Sequence, residues 1–184
     1  MQNSLLRQLY VDELKDRYSA ETQMLRALPK LAKTSSNPDL RKAFEEHLRQ
    51  TSEQVSRLEQ IFEMLGEKPT GKKCLGMEGL VKEGAEAMRS DYEDAVMDAA
   101  LIGAAQRVEH YEIAGYGTVR AFAEQLGEDE HVSLLEQTLE EEKQTNDQLT
   151  QLAQQVNSRA GQSAVENQSR QVSKAGKTTS RRVA

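Results

Sequence analysis

From Leu5 to Leu31, apolar residues recur three and four positions apart, at Leu5, Leu9, Leu14, Tyr18, Leu25 and Leu28, the spacing of one helix face. This predicts a first long helix that ends near Lys33, with Pro29 bending its last turn. Asn37-Pro38-Asp39 reads as the next helix start. Asn37 is a good cap, Pro38 suits the first helical position, and Asp39 suits the positive end of the helix dipole. Leu40, Phe44, Leu48, Thr51, Val55, Leu58, Phe62 and Leu65 carry the second helix to a stop at Gly66.

Gly66 to Gly76, with Pro69 and Gly71, predicts a loop, and a short amphipathic helix follows from Met77 to Met88 with Leu80 and Val81 inward. The third long helix runs from about Tyr92 to Leu126 and closes at Gly127. The fourth starts near Glu130 and carries Leu135, Thr138, Leu139, Thr145, Leu149 and Leu152 before fading past Val156. A long connection between the second and third long helices suits a four-helix bundle whose middle crossover spans its length, the ferritin-like topology. We therefore expect a bundle domain over residues 1–157. The polar stretch 158–184 has almost no large apolar residue and predicts a disordered basic tail.

Composition narrows the classes. No apolar run approaches the ~20 residues of a membrane span, and the N-terminus shows no basic region followed by an apolar stretch. The single cysteine, Cys74, cannot form an internal disulfide. Cytoplasm is the expected compartment. The net charge of −6 conceals an asymmetry. From Ser158 onward, Arg159, Arg170, Lys174, Lys177, Arg181 and Arg182 face only Glu166, so the body is strongly acidic. An acidic body argues against a nucleic-acid-binding fold, which needs clustered cations, though the tail could touch polyanions.

Candidate chemistry lies where charges interrupt apolar stripes. Glu21 falls on the Leu14–Tyr18–Leu25–Leu28 line, and His47 on the line of Phe44, Thr51 and Val55. Glu109 and Glu112 fall on two inward lines of the third long helix. Glu142 continues Leu135, Thr138, Thr145 and Leu149, with Glu141 at the stripe's edge. Four helices thus each bring a carboxylate or imidazole inward near mid-length. Unpaired, each buried charge costs on the order of several kcal/mol, and a like-charged cluster costs more. No Lys or Arg falls on the stripes at that height, although Arg17 and Arg107 come close. A pair of metal ions is the simpler counter-charge, because carboxylate and imidazole are standard ligands for iron and manganese. Taken singly, each inward acid fits an arginine partner or a water-filled groove equally well, and a lone inward His is more often a satisfied core residue.

A weak echo supports paired halves: Glu21 precedes Gln50 by 29 residues, as Glu112 precedes Glu141. Other candidates are plainer. Cys74, after Lys72-Lys73, could be a reactive thiol, but a lone loop cysteine is usually inert. His110 and His131 read as surface residues. Tyr18 and Tyr116 read as core packing with the reach to hydrogen-bond a ligand. No phosphate-binding Gly loop or nucleophile–base motif is present.

Several segments together resemble a known family. They are Tyr18-Ser-Ala-Glu21, Ala27-Leu-Pro-Lys30, His47-Leu-Arg-Gln-Thr51, Cys74-Leu-Gly-Met-Glu-Gly-Leu80, Val108-Glu-His-Tyr-Glu-Ile-Ala114, Tyr116-Gly-Thr118 and Glu141-Glu-Lys-Gln-Thr145. In that order, over about Leu5 to Leu152, the chain resembles the YciF/YciE-type family of bacterial ferritin-like stress-response proteins. The resemblance implies a rubrerythrin-related bundle, a homodimer and an iron-binding role in stress, with metal ligands at Glu21, His47, Glu109, Glu112, Glu141 and Glu142. Two departures stand out. The Glu-x-x-His pair usual in ferritin-like helices is missing, its only match being Glu128-x-x-His131 at a helix start. Gln50 stands where the family often has Glu, which weakens one metal position.

The expectation is therefore an all-α, ferritin-like protein binding two ions per chain, iron first and manganese as the alternative, in oxidative or general stress defence. If it is catalytic, the chemistry would be oxidation of Fe(II) by oxygen or peroxide. The rival is a metal-free structural or adaptor bundle acting through its dimer face or tail.

Overall fold

The computed structural model describes the backbone over residues 2–179 and side chains over 5–162. Five helices make up the described residues: α1 (Gln2–Thr34), α2 (Pro38–Leu65), α3 (Leu75–Ala87), α4 (Asp94–Leu126) and α5 (Asp129–Thr179). Their ends have local causes. The Asn37 side chain accepts from the backbone N–H groups of Asp39 and Leu40, at 2.9 and 3.2 Å, and starts α2. Gly66 (φ 67°) and Gly127 (φ 74°) end α2 and α4 in the left-handed region that a side chain would disfavour. Asp98 fixes the α1–α2 corner by accepting from the backbone N–H groups of Ser36 and Asn37, both at 2.9 Å.

Two apolar clusters give the helix directions. One joins the end of α1 (Met24, Leu28, Leu31), the start of α2 (Leu40, Phe44), the start of α4 (Met97, Leu101, Ile102) and the later part of α5 (Leu149, Val156). The other joins Tyr10 and Leu14 of α1, Leu58, Ile61 and Phe62 of α2, Tyr116 and Val119 of α4, and Leu135 and Leu139 of α5. Hence α1 and α5 run one way and α2 and α4 the other. The chain must travel the bundle's length between α2 and α4, and α3 lies on that crossover, packed on α4 and α1. This is the ferritin-like arrangement that the apolar spacing predicts.

The α1 face differs from expectation. Leu5 and Leu9 are exposed, and Tyr18 and Leu25 are only half-buried. The inward line is Tyr10, Leu14, Arg17, Glu21, Met24 and Leu28. Leucines near both lines made the outer one look apolar, and a long cation at position 17 hid the inner one. α3 starts at Leu75, two residues before expectation, because Cys74 caps it. α4 starts at Asp94, leaving Tyr92 exposed. The backbone of α5 continues beyond Val156 to Thr179. Side chains 163–184 lie outside the described residues, and most of the expected basic tail lies there.

Candidate metal centre

Between the two apolar clusters lies a buried polar layer. Arg17 and Glu21 enter it from α1, His47, Thr51 and Gln54 from α2, Glu109 and Glu112 from α4, and Glu142 and Thr145 from α5. Helical spacing places them: 47, 51 and 54 share one face of α2, and 109 and 112 are one turn apart on α4.

His47, Glu109 and Glu142 converge. Each offers one ligand atom, and those atoms lie within 4.8 Å of one another. His47 Nε2 stands 3.4 Å from Glu109 Oε1 and 4.0 Å from Glu142 Oε2. Glu109 Oε2, Glu142 Oε2, Glu112 Oε1 and His47 Nδ1 are buried without a hydrogen-bond partner. Orphaned acceptors of this kind are rare in native interiors. Burial dominates the titration of these acids. It pushes Glu109 up to about 8 and Glu112 to about 7, with Arg17 opposing the rise at Glu112. Glu21 and Glu142 are also raised well above the carboxylate range, first by burial and then by the neighbouring acids. Without a metal ion, these acids favour their protonated forms, and a bound ion would oppose that. The donor set of one imidazole and several carboxylates fits iron or manganese.

The other expected ligands are placed differently. Glu21 accepts a 2.5 Å hydrogen bond from the Tyr116 hydroxyl and lies close enough to feel the charges of Glu112 and Glu142. Tyr116 therefore does more than pack. Glu112 Oε2 accepts from Arg17 Nη1 at 3.3 Å. Glu141, half-buried, is gripped by Arg57 at 2.8 and 2.5 Å and stays outside the converging group. Gln50 stands at the edge, its Oε1 accepting from Thr145 at 3.5 Å. The 29-residue echo thus relates two buried acids, Glu21 and Glu112, and two half-buried edge residues, Gln50 and Glu141.

No cation is expected on the stripes at this height, with Arg17 and Arg107 only close to them; the structure brings Arg17 and Arg57 in and leaves Arg107 exposed beside Glu83. Arg17 and Arg57 are both buried. Gln54 was also missed; its Nε2 donates to Glu142 Oε1 at 2.5 Å and to Glu141 Oε2 at 3.2 Å. The signal was present, because 47, 51, 54, 58 and 61 continue one stripe of α2. Two smaller expectations change as well. His131 is buried, its Nδ1 3.2 Å from the Tyr10 hydroxyl, and burial lowers its pKa. Cys74 is buried at the start of α3, its Sγ accepting from Met77 N–H at 3.4 Å and lying 3.0 Å from the Tyr111 hydroxyl. Burial raises its pKa, so it is a structural thiol and a poor nucleophile.

Residues 5–161 match the family model described as a domain of unknown function (DUF892). Protein YciF of Escherichia coli (strain K12) is 47% identical over 154 residues, which cover 83% of this chain and 93% of YciF. The crystal structure of the E. coli stress protein YciF superposes with a TM-score of 0.81, covering 83% of this chain and 97% of that one. YcfI from Rhodopseudomonas palustris, for which a structural role has been suggested, is 44% identical with a TM-score of 0.76, covering 79% and 92%. The family match takes in residues of all four long helices. The chain therefore belongs to the DUF892 family, as a ferritin-like homologue of the stress protein YciF.

Proposed function

We propose that the protein is a metal-binding member of this stress-protein family, with His47, Glu109 and Glu142 holding iron or manganese in the polar layer. The observation that carries this reading is the convergence of those three buried side chains, together with carboxylate oxygens of Glu109 and Glu142 that have no hydrogen-bond partner. Glu21 and Glu112 border the same space and would add carboxylate oxygens to the ligand set. Bound iron would supply one-electron chemistry with oxygen or peroxide, which suits oxidative defence. The chain's own residues do the rest: Gln54 and Tyr116 orient Glu142 and Glu21 by hydrogen bonds, and the apolar clusters above and below exclude water.

The homodimer and cytoplasmic setting implied by the family resemblance belong to this reading. Leu5 and Leu9, exposed on α1, offer apolar surface that a second copy could cover. Among the described residues, no helix is long and apolar enough to cross a membrane.

One observation favours the metal-free structural reading. Arg17 and Arg57 pair with Glu112 and Glu141, as a bundle balancing its own charges would require. Elemental analysis of protein purified without chelators or metal-affinity resin separates the two. Bound iron or manganese, lost in Glu142→Gln, supports the metal reading. No metal, even after anaerobic Fe(II) addition, supports the structural one.

A further inference from the structure

Arg17 is 3% exposed, yet it is held from several sides. Its Nη1 donates to Glu112 Oε2 at 3.3 Å and its Nη2 to Asp16 Oδ2 at 2.7 Å. Its guanidinium carbon lies 4.6 Å from the centre of the Tyr111 ring, within cation–π range. The α4 backbone makes room for it. A Cβ on Gly115 would stand 2.3 Å from Arg17 Nη1, so only glycine at 115 admits the guanidinium where it is.

We propose that Arg17 is the resident second cation of the layer: its guanidinium fills the place beside Glu112 that a second metal ion would need, and the centre takes one ion. The inference rests on the metal reading above and fixes its stoichiometry. A carboxylate that bridges two metals gives one oxygen to each. Glu112 gives Oε2 to the guanidinium and keeps Oε1 without a protein partner. Arg17 thus stands in the second metal's role toward Glu112. A second divalent ion would meet a buried guanidinium at contact range, and like charges so placed oppose each other strongly in a low-dielectric interior. Arginine is also permanently charged, so the layer cannot relieve that repulsion by deprotonating it.

The test is equilibrium dialysis of the full chain against Mn(II), followed by elemental analysis, for the unmutated protein, Arg17→Met and Gly115→Ala. Methionine fills the space without charge. Alanine at 115 keeps Arg17 but forces its guanidinium away. The unmutated protein should saturate at one Mn per chain, and each variant that folds should accept a second. If Arg17→Met does not fold, Gly115→Ala carries the comparison. Two ions in the unmutated protein overturn the inference. One ion in every protein overturns it too, while leaving the metal reading intact. No ion in any of them overturns both.

Discussion

Arg57 holds both carboxylate oxygens of Glu141, at 2.8 and 2.5 Å, at the edge of the polar layer. The acid next in sequence, Glu142, is turned into the layer and receives Gln54 Nε2. Two adjacent glutamates on one helix thus have opposite duties in the proposed centre: one balances an arginine, and the other would offer an oxygen to a cation.

Substitution should separate these duties. Glu141→Gln leaves Arg57 buried with one weaker partner and should cost about 1–3 kcal/mol of stability, with Mn(II) affinity changed little. Glu142→Gln should reverse the pattern, with metal-free stability kept or raised and Mn(II) affinity down by about tenfold or more. Urea denaturation and Mn(II) titration of both variants read the contrast. Equal loss of affinity in the two would place Glu141 among the ligands after all.

Glu112 has a dual position, beside Glu109 and in contact with Arg17. Above about pH 7, where Glu112 is ionised, removing its charge relieves repulsion with the other acids but leaves Arg17 with Asp16 as its remaining carboxylate partner. A buried ion pair broken on one side loses more than relief of repulsion returns, so Glu112→Gln should destabilise the metal-free protein by about 1–3 kcal/mol. Glu112→Ala should lose about 1 kcal/mol more through the cavity it leaves. Chemical denaturation under chelator gives both values. A Gln variant more stable than the unmutated protein would mean that repulsion dominates at this position.

Much of this site is legible in the sequence, and the reason is periodicity. Glu21, His47, Glu109, Glu112 and Glu142 interrupt apolar stripes, and an interrupted stripe is visible in a string of letters. The helix stops at Gly66 and Gly127 and the cap at Asn37 are equally local. Gln54 and Arg57 are hidden, and Arg17 reads only as close to the stripe, because long polar side chains on a helix ordinarily mark its solvated face. Their inward direction depends on how the helix is rotated about its axis. For α1 that rotation was obscured by Leu5, Leu9 and Leu25, which lie off the buried line. Gly115 carried a trace of the answer, a residue without a side chain where a guanidinium crosses, but only the three-dimensional pairing of α1 with α4 gives it meaning.

The pH dependence has a definite sign. Glu109 and Glu112 hold their protons to about 8 and about 7 in the folded protein, above the 4.5 of an exposed glutamate. Glu21 and Glu142 shift the same way. The folded state therefore binds more protons than the unfolded one in this window, and that stabilisation, complete below about pH 4.5, is lost as pH rises through about 7–8. Without metal, stability should fall from about pH 5 to about pH 8. Saturating Mn(II) should flatten or reverse the fall, since ligand carboxylates must be deprotonated. Urea midpoints with and without Mn(II) across this range provide the check. Parallel curves would count against a metal in the layer.

The family match ends at residue 161, and every member of the polar layer lies between residues 17 and 145. Removing residues 163–184 should leave helicity of the bundle and Mn(II) uptake unchanged, by circular dichroism and dialysis. If the removed segment contacts nucleic acid, the full chain alone should give a salt-sensitive gel shift. Loss of metal binding on truncation would show that the segment supports the centre.

The location of the ion is the most direct test. Crystals grown or soaked with Mn(II) and measured by anomalous diffraction will show where the metal sits. The account predicts a strong peak within bonding distance of His47 Nε2 and the carboxylates of Glu109 and Glu142, inside the layer between the two apolar clusters. An empty layer at saturating Mn(II), or peaks only on exposed surface acids, would contradict it.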